Sequence, residues 1–124
     1  MGKILIVEDS WVTRRIIVGI LKADGHELLE AGGGKEGLEM AEKHMPDCIL
    51  LDLLMPEMDG FDVLEALGEK DLKIPVIVLT ANIQKTAREK CLQLGAFAFT
   101  NKPTEEDELR SLVHKAIDSK KGAD

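Results

Sequence analysis

Three carboxylates, a hydroxyl and an ammonium stand where the apolar runs of this sequence stop. Lys3–Val7 runs into Glu8-Asp9, Asp47–Leu51 into Asp52, Ile74–Leu79 into Thr80, and Ala96–Thr100 is followed by Lys102-Pro103. Asp52 is the least comfortable of them, because it interrupts ILLDLLM, where a carboxylate is costly to desolvate unless its charge is compensated. Acids brought together from neighbouring strands repel one another unless a proton or a cation intervenes. Oxygen ligands without His or Cys suit a hard ion, and a few carboxylates plus waters suit Mg²⁺. A metal on one side, with Lys102 and Thr80 on the other, frames a pocket for a phosphoryl group. Aspartate can itself be the nucleophile in phosphoryl transfer, giving an aspartyl phosphate. On this reading Asp52 is the acceptor and a metal compensates its charge. Taken singly, each residue has an ordinary explanation as a solvated turn, a cap or a loop; their joint placement at strand ends favours a site.

The elements that must position these groups alternate along the chain. Apolar strands are expected at Lys3–Val7, His26–Ala31, Asp47–Leu51, Ile74–Leu79 and Ala96–Thr100, the second of them a weaker edge strand. Helices are expected at Ser10–Ala23, Lys35–His44, Phe61–Leu67, Gln84–Leu94 and Thr104–Lys120. Ile16, Ile17, Ile20 and Leu21 fall at helical spacing in the first helix, and Leu38, Ala41 and Met45 form the stripe of the second. Asp59 and Asn82 are expected caps, Gly95 stops the fourth helix, and Thr104 with Asp107 resembles a capping box. Short apolar strands separated by helices imply an α/β fold: a doubly wound, five-stranded parallel sheet with five helices covering both faces. In such a sheet the ligand site lies beyond the carboxyl ends of the strands, where the strand order reverses.

Composition narrows the classes. The chain has 124 residues, 44% of them hydrophobic, which suits one compact domain with a real core. A net charge of −7 disfavours nonspecific binding to nucleic acid or anionic membrane. No apolar run approaches the roughly 18 residues of a membrane span, and no signal-peptide pattern opens the chain. Cys48 and Cys91 read as reduced core thiols, which suits a cytoplasmic protein. His26, His44 and His114 have no ligand spacing and read as surface residues. Gly32-Gly33-Gly34-Lys35 lacks phosphate-loop spacing and reads as a flexible loop opening the second helix. Met40, Met45, Met55 and Met58 read as scattered packing. Trp11 reads equally well as packing or as a partner contact.

The motifs ILIVEDS, LLDLLMPEMDGFDVL, IPVIVLTA and the Lys102-Pro103 pair closely resemble the receiver domains of bacterial and archaeal response regulators, over about Gly2 to Ser119. The resemblance implies a single receiver domain over residues 1–124 with the flavodoxin-like strand order 2-1-3-4-5. It implies Asp52 as phosphoacceptor, Asp9 as a direct Mg²⁺ ligand, Glu8 acting mainly through water, and the Leu54 carbonyl as the remaining protein ligand. Thr80 becomes the switch hydroxyl, Lys102 the phosphate-binding lysine and Phe99 the switch aromatic, and the Lys102-Pro103 peptide is expected to be cis. The phosphoryl donor is then a histidine kinase or a histidine phosphotransfer protein. No DNA-binding segment follows the last helix, so output is expected by contact with a downstream protein through the fourth helix, fifth strand and fifth helix. No direct nucleic-acid or membrane binding is expected, and the chain is read as a monomer or a weak phosphorylation-linked dimer.

Three other functions compete. An aspartyl-nucleophile phosphatase would place a second acid two residues after the nucleophile, where this chain has Leu54. A flavin-binding module would need a hydroxyl- and glycine-rich loop where this chain has Glu8-Asp9. A degenerate receiver acting as a docking scaffold would not need the full set of acid, Asp, Thr and Lys. The expected role is a signalling switch that catalyses only its own phosphorylation and dephosphorylation.

Overall fold

The strands that read as most apolar lie at the centre of the sheet. In the computed structural model, which describes residues 2–81 and 84–121, β3 (Cys48–Asp52) and β4 (Val76–Thr80) are buried at every position. They are flanked by β1 (Lys3–Val7) and β5 (Ala98–Asn101), with β2 (Glu27–Ala31) at one edge. All pairings are parallel and the order is β2-β1-β3-β4-β5, as the resemblance implied. Full burial is what parallel strands covered on both faces require, and it leaves their alternation to choose between two cores.

Odd and even strand residues feed different layers. Leu5, Val7, Ile49 and Leu51 pack toward α2 (Gly34–His44), α3 (Gly60–Glu69) and α4 (Lys85–Gln93). Ile4, Ile6, Cys48 and Leu50 pack toward α1 (Trp11–Ala23) and α5 (Glu106–Lys121). Each fully buried branched side chain contributes about 1.5–3 kcal/mol of transfer free energy. The strand order reverses between β1 and β3, so Glu8-Asp9 and Asp52 share the crevice at that reversal.

Every expected element is present, and the ends move by a few residues. Ser10 is the N-cap of α1, accepting from the Thr13 amide, and Asp59 forms a full capping box with Asp62 at the start of α3. α5 begins at Glu106, so Thr104 is too early to be its cap; its hydroxyl donates to the Asn101 carbonyl. Gln84 is the N-cap of α4, and the Asn82 cap lies outside the described residues. Met45 is exposed in a left-handed C-cap and does not continue the α2 stripe. Cys48 and Cys91 are free and buried. His26 is buried, contrary to the surface reading, because its Nδ1 accepts from the Gly2 amide as β1 starts.

Gly32 and Gly33 form the loop that opens α2, with open space or one ordinary contact beside them, and close packing begins at Gly34. Gly34 lies against the Met58 carbonyl and Gly37 against Val7, so neither has room for a side chain. Gly60 matters most for the site: a Cβ there would lie 2.7 Å from the Asp52 carbonyl oxygen and from Leu53 Cα. Its own amide donates to the Leu53 carbonyl at 3.0 Å, which ties the start of α3 to the end of β3. Gly60→Ala should therefore destabilise the fold by about 1–3 kcal/mol through overpacking. Gly19→Ala, in the exposed middle of α1 with nothing within 4 Å of the new methyl, should stabilise it by about 0.5–1 kcal/mol. Urea unfolding of the two variants checks both signs.

Candidate functional site

Strand ends deliver the chemistry, as the sequence predicted. Glu8 follows β1, Asp52 is the last residue of β3, Thr80 the last of β4, and Lys102 follows β5. Oxygens of Glu8, Asp9 and Asp52 all lie within 4.8 Å of one another, with Glu8 2% and Asp52 5% exposed and Asp9 open to solvent. Three oxygen ligands with one face open could hold a hard divalent cation that keeps its remaining waters.

Lys102 lies across the acids from the other side. Its ammonium is 3.2 Å from Asp52 Oδ1 and forms a close ion pair with Glu8 Oε1. The Lys102 amide donates to the Thr80 carbonyl at 2.8 Å, and Lys102-Pro103 is cis. The Leu54 amide turns back to Asp52 Oδ1 at 3.3 Å, so the segment after β3 follows that carboxylate. Thr80 is fully buried, one register step beyond Leu79, the partner of Asp52 across β3 and β4. Phe99 is half-buried on β5, opposite Val78, and lines a groove with Lys85, Arg88 and Glu108.

Electrostatics separate the two buried acids. Burial and the neighbouring Glu8 push the Asp52 carboxyl up to about 7, and Lys102 opposes this only in part. Burial also pushes Glu8 up, but its hydrogen bond with Asp52 and the Lys102 ammonium outweigh that and hold it below the ordinary carboxylate range. Burial disfavours the Lys102 charge, yet Glu8 and Asp52 together hold its pKa above the ordinary lysine value. Below about pH 7 this pair therefore holds a proton on its Asp52 side, and above it both acids are ionised.

The structure brings Glu8, Asp9, Asp52, the Leu54 backbone and Lys102 together, with Thr80 and Phe99 on the adjoining strands. Two features of α1 were not legible as function. Trp11 is 65% exposed and Ile16, which shares helical spacing with buried residues, is 59% exposed; only Ile17 and Leu21 of that helix are buried. Arg14, one turn into α1, reaches back to the end of β1. An adjacent Arg14-Arg15 pair shortly after two acids was the available signal.

A buried aspartate flanked by two acids and a lysine at the crevice of a 2-1-3-4-5 sheet defines a class of phosphoryl-handling domains, and sequence comparison agrees. Residues 4–114 match the family described as response regulator receiver domain. The chain therefore belongs to the response regulator receiver domain family, a component of two-component phosphorelays. It is similar to transcriptional regulatory protein PdtaR of Mycobacterium tuberculosis, 34% identical over 93% of this chain and 56% of that protein. It is also similar to sporulation initiation phosphotransferase F of Bacillus subtilis, 33% identical over 93% of each chain. The crystal structure of the signal receiver domain of a histidine kinase from Syntrophus aciditrophicus is 35% identical, with a TM-score of 0.86 over 96% of this chain and 92% of that one. The chain thus spans a little over half of PdtaR and nearly all of the phosphotransferase.

The raised Asp52 pKa has a stability consequence. Its folded value lies above the unfolded one, so its contribution is most favourable below the ordinary carboxylate range and is lost as pH rises to about 7. Above that, the metal-free fold carries the full cost of a poorly compensated buried charge. In chelator, Asp52→Asn should be more stable than the parent by about 1–3 kcal/mol at pH 8, with the gap shrinking toward pH 4. Urea unfolding at the two pH values checks it; a gap independent of pH would contradict the assignment.

Proposed function

We propose that Asp52 accepts a phosphoryl group from a phosphohistidine on a histidine kinase or histidine phosphotransfer protein. The observation that carries this is the burial of Asp52 between two acids and Lys102, at the crevice of the sheet. The phosphorus–nitrogen bond of the donor breaks as an Asp52 oxygen bonds to phosphorus, and the electron pair stays on the imidazole nitrogen. The cation best suited to the oxygen set is Mg²⁺, held by Asp9, Asp52 and the Leu54 carbonyl, with Glu8 acting mainly through water. When bound it neutralises phosphoryl oxygens and cancels the repulsion among the acids. Lys102 pairs with another phosphoryl oxygen, and the Thr80 hydroxyl donates to a third.

The same residues favour holding the group over rapid turnover. Leu54 stands where an aspartyl phosphatase would carry its second acid, and its side chain is exposed, so no general acid comes from that position. Receivers are signalling switches, and the role assigned to this chain is self-phosphorylation and self-dephosphorylation. The switch reading is that Thr80 moves toward the phosphoryl oxygens and vacates space, into which Phe99 turns. Output then passes through the face of α4, β5 and α5. That face joins Lys85 and Arg88 to the acidic first turn of α5, Glu106, Asp107 and Glu108, which suits a polar protein contact. The exposed Trp11 and Ile16, beside an apolar groove reaching Pro103 next to the site, support donor docking on α1.

Acetyl phosphate with Mg²⁺ should add one phosphoryl, seen by intact mass, and Asp52→Asn should add none. A comparable stable phosphoryl on the Asn variant would overturn the assignment. Because Asp52 must lose its proton to bind metal, the apparent Mg²⁺ affinity should fall by up to roughly tenfold per unit as pH drops below about 7. Calorimetric titration between pH 5.5 and 8 measures this, and a flat profile would contradict it. Beryllofluoride, a phosphoryl mimic, should shift NMR signals over β4, Phe99 and the start of α5 far more than those of α2. Shifts confined to residues touching the phosphoryl site would remove the switch.

A further inference from the structure

The peptide plane between Glu8 and Asp9 orients both acids, and it is held from outside the pocket. The Glu8 carbonyl, the oxygen of that plane, accepts from Arg14 Nη1 at 2.6 Å. The preceding Val7–Glu8 peptide is held separately, its Glu8 amide donating to the Ala31 carbonyl at the end of β2, at 3.1 Å. Arg14 cannot swing freely, because its Nε donates to Glu30 Oε1 at 3.1 Å, and Glu30 sits on β2 in register with Ile6. The guanidinium thus bridges a main-chain oxygen beside the acids and a carboxylate on the neighbouring strand. Its side chain is only 17% exposed. Arg15 shares Glu30 but is 41% exposed and stacks its guanidinium 6.0 Å from the Trp11 ring, on the solvent side. A Cβ added at Gly32 would lie 3.5 Å from Arg14 Nη1, an ordinary contact, so the bridge passes close to the exposed start of the loop before α2.

We infer that Arg14, locked by Glu30, is a positioning residue for the metal-binding acids. It acts by fixing the Glu8–Asp9 peptide, so that the Asp9 carboxylate faces the ion site without a conformational search. A guanidinium suits this because its planar fork serves two oxygens at once, which an ammonium cannot do at fixed geometry. The inference rests on the metal site proposed above and adds to it a residue outside the pocket.

The test is calorimetric titration of unphosphorylated protein with Mg²⁺ at pH 8, with melting temperature in chelator measured separately. Arg14→Ala should weaken Mg²⁺ binding roughly tenfold, the lower end of what residues orienting metal ligands command. Glu30→Gln should weaken it less and in the same direction, and Arg14→Lys should fall between Arg14→Ala and the parent. Arg15→Ala should leave affinity within about twofold, since it holds no oxygen of the acid-bearing segment. Metal affinity of the folded protein is the deciding quantity, because a purely structural Arg14 would lower the melting temperature and leave affinity alone. An Arg14→Ala protein that binds Mg²⁺ like the parent overturns the inference, and so does an equal loss in Arg15→Ala. If Arg14→Ala does not fold, Arg14→Lys decides: parental affinity there overturns it as well. Asp9→Asn separates the two levels, since parental affinity in that variant means the metal site itself is misplaced.

Discussion

Mutual repulsion of carboxylates at the closed end of a buried sheet is the constraint around which this molecule is arranged. Glu8 and Asp52 are almost wholly removed from water, and Asp9 adjoins them. Desolvation and like charge both oppose ionising such a pair, and the Asp52 carboxyl rises to about 7 as a result. Two positive groups can relieve the strain: Lys102, which is built in, and a cation, which is not. Lys102 contacts both buried acids, yet once both are ionised one ammonium cannot neutralise two carboxylates. The remaining imbalance is the physical origin of the metal requirement proposed here. A fold whose central acid is only partly compensated is poised to gain by binding a divalent ion.

That poise depends on backbone that cannot drift. Parallel strands end their hydrogen-bond ladder abruptly, and the residues just beyond are held by loops alone. Here each loop has a specific tie. Gly60 allows the start of α3 to touch the end of β3, and Gly34 allows α2 to close against the Met58 carbonyl. The Lys102 amide is fastened to the Thr80 carbonyl, so the backbone that carries the lysine is tied to the backbone that carries the hydroxyl. A backbone displacement at Thr80 under the proposed switch would therefore be felt at the segment that leads into α5. The coupling proposed between site and surface needs no longer path than that hydrogen bond and the pairing of β4 with β5.

The fold was legible in the sequence because each element's apolar pattern had one sensible interpretation. IPVIVL cannot be half exposed, and alternation of such runs with amphipathic segments leaves few architectures. The site was legible because its members sit at strand ends, where position in the pattern predicts position in space. Legibility failed where the pattern underdetermines geometry. Ile16 has helical spacing with Ile17 and Ile20 but falls at the edge of the buried face, and only the angle of α1 on the sheet decides its exposure. His26 carries no sequence mark of burial; it is enclosed because the chain start needs an acceptor for the Gly2 amide. Arg14 has a long flexible side chain whose partners lie on β2 and just beyond β1, and no local spacing encodes such a bridge. Within the glycine run, Gly34 is demanded by close packing while Gly32 and Gly33 form the loop, and a sequence displays the two roles identically.

Phe99 sets how much work the phosphoryl group must do under the proposed switch. It is half-buried against the core and lines a polar groove, so its ring is divided between two environments. A tyrosine there could anchor its outward position by a surface hydrogen bond; phenylalanine has none to lose. Burying the rest of the ring is worth no more than a kcal/mol or two, roughly the share of an aromatic side chain still in contact with water. Under the proposed switch the inward and outward states would therefore differ little in energy, and the inward one would be populated before any phosphoryl arrives. A modification can shift such an equilibrium only by its differential affinity for the two states. Under the proposed switch that differential would come from one hydroxyl, that of Thr80, whose single charge-assisted hydrogen bond is comparable in size to the gap it must close.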